Sequence, residues 1–400
     1  MPKTLNIPSL QTVAVIGVAA LTLAGCGAGQ KAASGAGAPS GGTTGVDAES
    51  TAVVSVNVRK GASHVPVSTV VAVHAEHATL SSVRLSSGKG AVPGELAKDG
   101  RSWTAGDRLE PGTSYTLTSK GTDEAGQAVT RTTRFTTQAL SLEQQTYPSI
   151  APLQGETVGV GMPVIVTFDV PITDRKAIEE NLHVTSTPAQ PGSWHWLSSS
   201  EVRWRPKSYW KAGTHVEVSA DVNGVDAGNG VYGQVDKDIS FDVGAAHIYK
   251  VDTKTDQMRV FSNGKLLRTI PITTGQQPAY TTRSGTKVII EKFASKDMNS
   301  ETVGITGADA YNIKGVKWAM RLTYSGEFIH AAPWSVSSQG HANVSHGCTG
   351  MSTENAGWLF AMSRRGDVVE YTGTSRPMEP TNGYGDWNIP FKEYKADSAL

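Results

Sequence analysis

The chain has 400 residues and only two cysteines, Cys26 and Cys348. A pair so few and so far apart excludes a disulfide framework, and no Cys-x-x-Cys or His-x-x-x-His spacing marks a metal site. Excess charge of either sign is also missing: 36 Lys plus Arg balance 36 Asp plus Glu, a formal net charge of zero. With no basic patch and no charge run, the chain carries no nucleic-acid signature. Helix-type periodicity is scarce. Runs of Val, Thr, Ile and Tyr alternate with polar residues instead, which is the pattern of a mainly β protein.

Long apolar runs are absent except at the N-terminus, where Ile7 to Leu23 follow Lys3 and end in Ala24-Gly25. A charged start, an apolar middle and a small-residue end read as a signal peptide over residues 1–25. Leu23-Ala24-Gly25-Cys26 resembles a bacterial lipobox. That resemblance implies cleavage before Cys26 and lipidation of its thiol. An ordinary secretory signal or a single membrane anchor of marginal length are the alternatives. All three export the rest of the chain, so the expected location is extracytoplasmic, lipid-anchored to the outer face of the cell membrane. Residues 26–50 are rich in Gly, Ala, Ser and Thr and read as a flexible linker, because they hold too little apolar surface to fold.

Two blocks of short strands follow, residues 51–138 and 139–244. An internal similarity points to duplication. Trp103 is followed by Pro111-Gly112-Thr113 and an alternating run, and Trp204 by Ala212-Gly213-Thr214 and another. Blocks of this size, with about seven short strands each, fit immunoglobulin-like β-sandwiches. Neither block shows a catalytic constellation, and a spacer or platform is the expected role. Residues 245–372 change character. Asn263-Gly264 between apolar pairs predicts a tight hairpin, Lys287–Lys292 reads as one strand, and Ser352 caps a short helix over Thr353–Ser363. Residues 373–400 hold Tyr384, Trp387, Phe391 and Tyr394, and so many rings predict an extension packed on a domain.

The chemistry concentrates around Ser345-His346-Gly347-Cys348. With Cys26 lipidated, Cys348 has no disulfide partner, and an unpaired thiol in an exported protein calls for an explanation. Burial as a small hydrophobe is the bland one, but Ser, His, Gly and Thr neighbours form no apolar face. A thiol beside an imidazole can instead become a thiolate–imidazolium nucleophile. His330, at the end of Phe328-Ile329-His330, is the candidate base. Gly347 allows close backbone approach, and its N–H and that of Cys348 are candidate oxyanion donors. A zinc site built from His330, His341, His346 and Cys348 has the right ligand count, yet the His-Gly-Cys spacing is awkward for one tetrahedron.

His330 followed by a loop and Ser345-His346-Gly347-Cys348 resembles the signature of the L,D-transpeptidases with a YkuD-type catalytic domain. Thr323-Tyr324-Ser325-Gly326-Glu327-Phe328-Ile329-His330-Ala331-Ala332-Pro333-Trp334 and Gly385-Asp386-Trp387-Asn388-Ile389-Pro390 extend the match. The lipobox, two immunoglobulin-like domains and aromatic extension resemble the family's actinobacterial branch. The resemblance implies a mainly β fold in which two immunoglobulin-like sandwiches precede a β-rich catalytic domain (245–372) with a short helix. It implies peptidoglycan stem peptides as donor and acceptor, a Cys348 thioester formed with release of D-alanine, and a diaminopimelate–diaminopimelate cross-link. His330 would be the general base, held by a backbone carbonyl near Ala331, and His346 would line the site. Tyr311 would orient substrate or oxyanion, while Met298, Ser325 and Trp334 would wall the donor groove. No metal or organic cofactor is implied, and β-lactams of the carbapenem class are the implied inhibitors. One position departs from the pattern: where Asn or Arg usually stands two residues after the cysteine, this chain has Gly350. Water as acceptor would make an L,D-carboxypeptidase, and a non-enzymatic cell-wall binding lipoprotein is the remaining alternative.

Overall fold

The computed structural model describes residues 50–400. The expected signal peptide, Cys26 and nearly all of the expected linker lie outside the described residues. The described chain is mostly β, in agreement with the expected fold class.

The first pair of sheets is a sandwich. One sheet orders Val53–Val56, Ala72–Glu76, Ser102–Ala105 and Gly94–Leu96; the other orders Gly90–Val92, Ala78–Ser87, Ser114–Asp123 and Ala128–Thr136. Burial alternates along Ser114–Asp123 as a strand with one inward face requires. Between the sheets lie Trp103, Leu85 and Leu109, with Tyr115 stacked on Phe135 at 5.5 Å.

The second sandwich orders Pro148–Ala151, Val164–Phe168, Glu201–Pro206 and Gly192–Trp196 in one sheet. Its other sheet orders Thr157–Val158, Lys237–Val243, His215–Ala220 and Leu182–Thr187. Trp103 and Trp204 are both buried, and Gly112 and Gly213 both have positive φ at the turn before the next strand. The likeness seen in the sequence is thus carried by equivalent structural positions. Between the two sandwiches the hydrogen bonds are polar and few, such as Arg108 Nη2 to Asn181 Oδ1 at 3.1 Å.

The third region has two sheets and a helix. Five strands order Lys265–Pro271, Gln257–Ser262, His247–Asp252, Val368–Thr372 and Gly285–Val288. Asn263 and Gly264 both take positive φ at the first hairpin, as its two-residue turn demands. Four strands order Glu291–Asn299, Asn312–Arg321, Phe328–Ala331 and Thr349–Met351. The helix Thr353–Met362 is capped by Ser352, whose hydroxyl accepts from the Asn355 N–H at 3.2 Å. Lys287–Lys292 is not one strand, which corrects the sequence reading. Ile289 N–H bonds Asp367 O in the first sheet and Ile290 N–H bonds Arg321 O in the second. The chain crosses between sheets here, and both isoleucines are buried, so periodicity alone sees one continuous apolar run.

The second sandwich and the third region share one core. Val288, Ile290, Val368 and Tyr384 join the second sandwich's buried cluster. The C-terminal segment closes the seam. Arg203, 1% exposed, donates to Asp386 Oδ2 and to Gly383 O, each at 2.9 Å. The Arg205 guanidinium packs over Trp387, Phe391 and Tyr394. The second sandwich is therefore not only a spacer: its Arg203 and Arg205 anchor the segment that seals the third region. Asp386→Ala should cost about 3–5 kcal/mol in denaturant unfolding, because it leaves a buried guanidinium without its buried partner. A loss below about 1 kcal/mol, the worth of an exposed pair, would mean that Glu201 alone neutralises Arg203.

Candidate active site

The site is built by strand pairing. Phe328–Ala331 runs parallel to Thr349–Met351, with Ile329 opposite Thr349 and His330 opposite Gly350. Side chains alternate along a strand, so His330, Gly350 and, two residues back, Cys348 belong to one face. Thr273 pairs with Gly350 from the other side, with N–H to O bonds of 2.9 Å in both directions. His330 and Cys348 line a single cavity of about 250 Å³ with Met298, Tyr311, Trp334, Ser345, His346 and Gly350. A second cavity of about 230 Å³ touches the sulfur and is also lined by Met298, Tyr311, Gly326 and Phe328.

The turn before Cys348 is closed locally. The Ser345 hydroxyl donates to Cys348 O at 2.6 Å and accepts the Gly347 N–H at 3.1 Å. Thr282 Oγ1 donates to Gly347 O at 2.9 Å. Gly347 has φ +122°, a conformation that side chains with a Cβ rarely adopt. Its N–H is committed to Ser345, which corrects the expectation that it serves an oxyanion. Ser345 was legible as part of the motif, but its closing of the turn was not.

The His330 imidazole lies where it was expected, with Nδ1 2.8 Å from Ala331 O. A carbonyl only accepts, so Nδ1 carries the proton and Nε2 is left as the basic nitrogen. Trp334 stacks on this ring at 5.8 Å. His346 is exposed and packs between Tyr280 and Tyr311, with centroids at 4.5 and 4.9 Å. Burial, and secondarily the charge of an ionised Cys348, push the Tyr311 phenol up to about 12, so it is a hydrogen-bond donor at neutral pH. Ser325 lines neither cavity, a second correction. Its N–H and hydroxyl bind Asn382 at 2.9 and 2.8 Å, which ties its turn to the C-terminal segment.

The resting electrostatics differ from a thiolate–imidazolium pair. Cys348 is 7% exposed and belongs to a small apolar cluster with Met298, Val316, Ala319 and Phe328. Its thiol donates to Gly326 O at 3.5 Å. Burial pushes the thiol up to about 11; the Phe328 N–H and Lys287 oppose this, and Glu327 adds to it. Burial also pulls the His330 imidazole below its ordinary 6.5, against its bond to Ala331. Burial therefore favours the neutral form of both groups. The reason is desolvation, which the polar neighbours of Cys348 in the sequence conceal.

Two neighbours close in on Gly350. A Cβ there would lie 2.9 Å from Ala332 Cβ and 3.0 Å from Thr273 Oγ1, so those side chains hold the space that a larger residue would need.

Alkylation of Cys348 in the free protein should be slow near neutrality. It should accelerate about tenfold per pH unit towards pH 10, as the thiolate fraction grows below a raised pKa. A rate that levels off by about pH 8 would mean that the thiol is depressed instead.

Comparison with known proteins bears directly on this site. Residues 62–226 match the bacterial Ig domain, and residues 246–370 match the L,D-transpeptidase catalytic domain. Over 394 residues, 98% of this chain and 94% of the relative, the sequence is 35% identical to L,D-transpeptidase 2 of Mycobacterium tuberculosis. It is 34% identical over 322 residues to L,D-transpeptidase 5 of the same organism, covering 79% of this chain and 69% of the relative. A solved structure of an L,D-transpeptidase in complex with imipenem is 37% identical, covering 56% of this chain and 97% of that one, with a TM-score of 0.49. With near-complete coverage of a relative at this identity, and with Cys348 and His330 of the matched catalytic domain facing one cavity, the chain belongs to the L,D-transpeptidase family.

Proposed function

We propose that this transpeptidase joins two peptidoglycan stem peptides through a Cys348 thioester. The observation that carries the reading is one cavity holding a thiol and an imidazole whose proton is fixed on Nδ1. As the Cys348 sulfur attacks the carbonyl between diaminopimelate and the terminal D-alanine, His330 Nε2 takes the thiol proton. Collapse of the tetrahedral intermediate breaks the C–N bond, and the same proton goes to the leaving D-alanine amine. The diaminopimelate amine of a second stem then attacks the thioester, gives its proton to His330, and sulfur leaves as the thiol. A neutral resting pair suits this sequence, because charge appears only once substrate has displaced water. The Cys348 N–H and the Tyr311 hydroxyl are the donors proposed for the oxyanion. His346, Met298 and Trp334 would shape the donor cavity.

Two cavities meeting at the sulfur fit a transfer reaction, since a donor in one leaves the thioester reachable by an amine from the other. The same nucleophile would open a β-lactam ring of the carbapenem class and retain it as an acyl adduct. Incubation with tetrapeptide stems should yield cross-linked dimers and free D-alanine by mass spectrometry, and incubation with a carbapenem should yield a mass increase on Cys348. Both should vanish in Cys348→Ser. Dimers formed by Cys348→Ser would end the reading, and freed D-alanine without dimers would make the protein a carboxypeptidase.

The lipobox resemblance supports a further element, a lipid on Cys26 that holds the enzyme at the outer face of the membrane. Cells fed labelled palmitate should label the wild type and not Cys26→Ser; equal labelling of both would remove the anchor.

A further inference from the structure

A group of buried charges lies against the catalytic turn, and no step above uses it. Lys287 is fully buried, Glu327 is 5% exposed and Arg283 is 8% exposed. Lys287 Nζ donates to Glu327 Oε2 at 2.5 Å. The Arg283 N–H and Nη1 donate to Glu327 Oε1 at 3.1 and 3.0 Å. At the outer end, Arg283 Nε donates to Glu379 Oε2 at 2.5 Å. Buried ion pairs seldom stabilise a fold more than apolar residues of the same size would. Stability alone is therefore a weak reason for this cluster.

Its contacts surround Cys348. Residue 327 follows Gly326, whose carbonyl accepts the thiol proton. The Glu327 Cγ lies 3.7 Å from where a Gly347 Cβ would stand. Thr282, next to Arg283, holds Gly347 O. On the far side, Lys287 Nζ sits 3.7 Å from the centroid of the Tyr371 ring, and the Tyr371 hydroxyl bonds Thr349 Oγ1 at 2.6 Å. The cluster thus reaches the residues before and after the sulfur and the carbonyl that restrains it.

We propose that the Lys287–Glu327 pair, closed by Arg283, is a positioning device for the nucleophile: it fixes the turns that flank Cys348 and packs two opposed charges against the segment that carries its sulfur. Glu327 disfavours the thiolate and Lys287 favours it. The other titratable groups facing the thiol are His330 and Tyr311 on the cavity side and Tyr371 below. His346 is exposed at the cavity mouth, and Glu379 lies beyond Arg283. Burial pulls the Lys287 ammonium below its ordinary range, against the pull of Glu327.

The inference rests on Cys348 as nucleophile, but its test reads the thiol directly, whether or not the protein turns over. Iodoacetamide alkylation of Cys348 in the full chain is followed at pH 8, with melting curves to verify the fold. Glu327→Gln removes a negative charge without changing shape, and its rate should rise about tenfold. Lys287→Met should slow alkylation about tenfold, and Lys287→Arg should restore it. Opposite signs are the signature, because loosening of the turn would speed both variants. Rates that match the wild type, or that move in the same direction, overturn the proposal. If Lys287→Met does not fold, the pH–rate profile of Glu327→Gln decides: removing the charge should move its midpoint to lower pH with an unchanged plateau, whereas an unmoved midpoint, or a raised plateau from a loosened turn, overturns the proposal. Loss of cross-linking in Cys348→Ser beside an unmoved rate in Glu327→Gln would sink this inference and leave the proposed function standing.

Discussion

The site depends on a short stretch of parallel pairing between Phe328–Ala331 and Thr349–Met351. Parallel strands need a connection long enough to cross over, and here that connection is the segment 332–348, which carries Trp334, Ser345 and His346. The pairing puts the His330 imidazole and the Cys348 sulfur on one face, and it also forces both into a region where water is scarce. Everything distinctive about the site's resting state follows from this burial. Burial pushes the thiol up to about 11 and pulls the imidazole down, which favours the neutral form of both.

A thiol held this way needs support from outside its own strands. Some comes from close by, through Ser345 and Thr282 on the turn. Some comes from the C-terminal segment, where Asn382 holds Ser325 and Glu379 meets Arg283. That segment is in turn anchored on the second sandwich by Arg203 and Arg205. Domain order along the chain suggests a stalk, but the shared core makes the second sandwich part of the scaffold that shapes the site. The first sandwich, joined mainly by polar contacts such as Arg108 to Asn181, is the part free to act as a spacer.

The fold class was legible because alternation and turn residues are local signals: Asn263-Gly264, the Ser352 cap and the repeated Gly-Thr turns each act within a few residues. The break at Ile289–Ile290 was not, since two sheets bury the same apolar run. Within the site, Cys348 and His330 were legible from the motif, and so was the carbonyl at Ala331. Ser325 was misplaced, because its partner Asn382 is 57 residues away in sequence. The pairing of Lys287 with Glu327 is not legible in the sequence, because a lysine and a glutamate at strand ends look like solvated surface until the fold buries them.

By itself, the sequence determined the mainly β architecture and the family, and it singled out Cys348 and His330 as the proposed nucleophile and base. These rest on residue types and short spacings, which the chain carries without reference to its neighbours. Tertiary structure decided the desolvation of that pair, the partner of each loop residue and the burial of the ionic cluster. Those depend on how much water is excluded and on which distant charges come close, and both are properties of the packed chain alone.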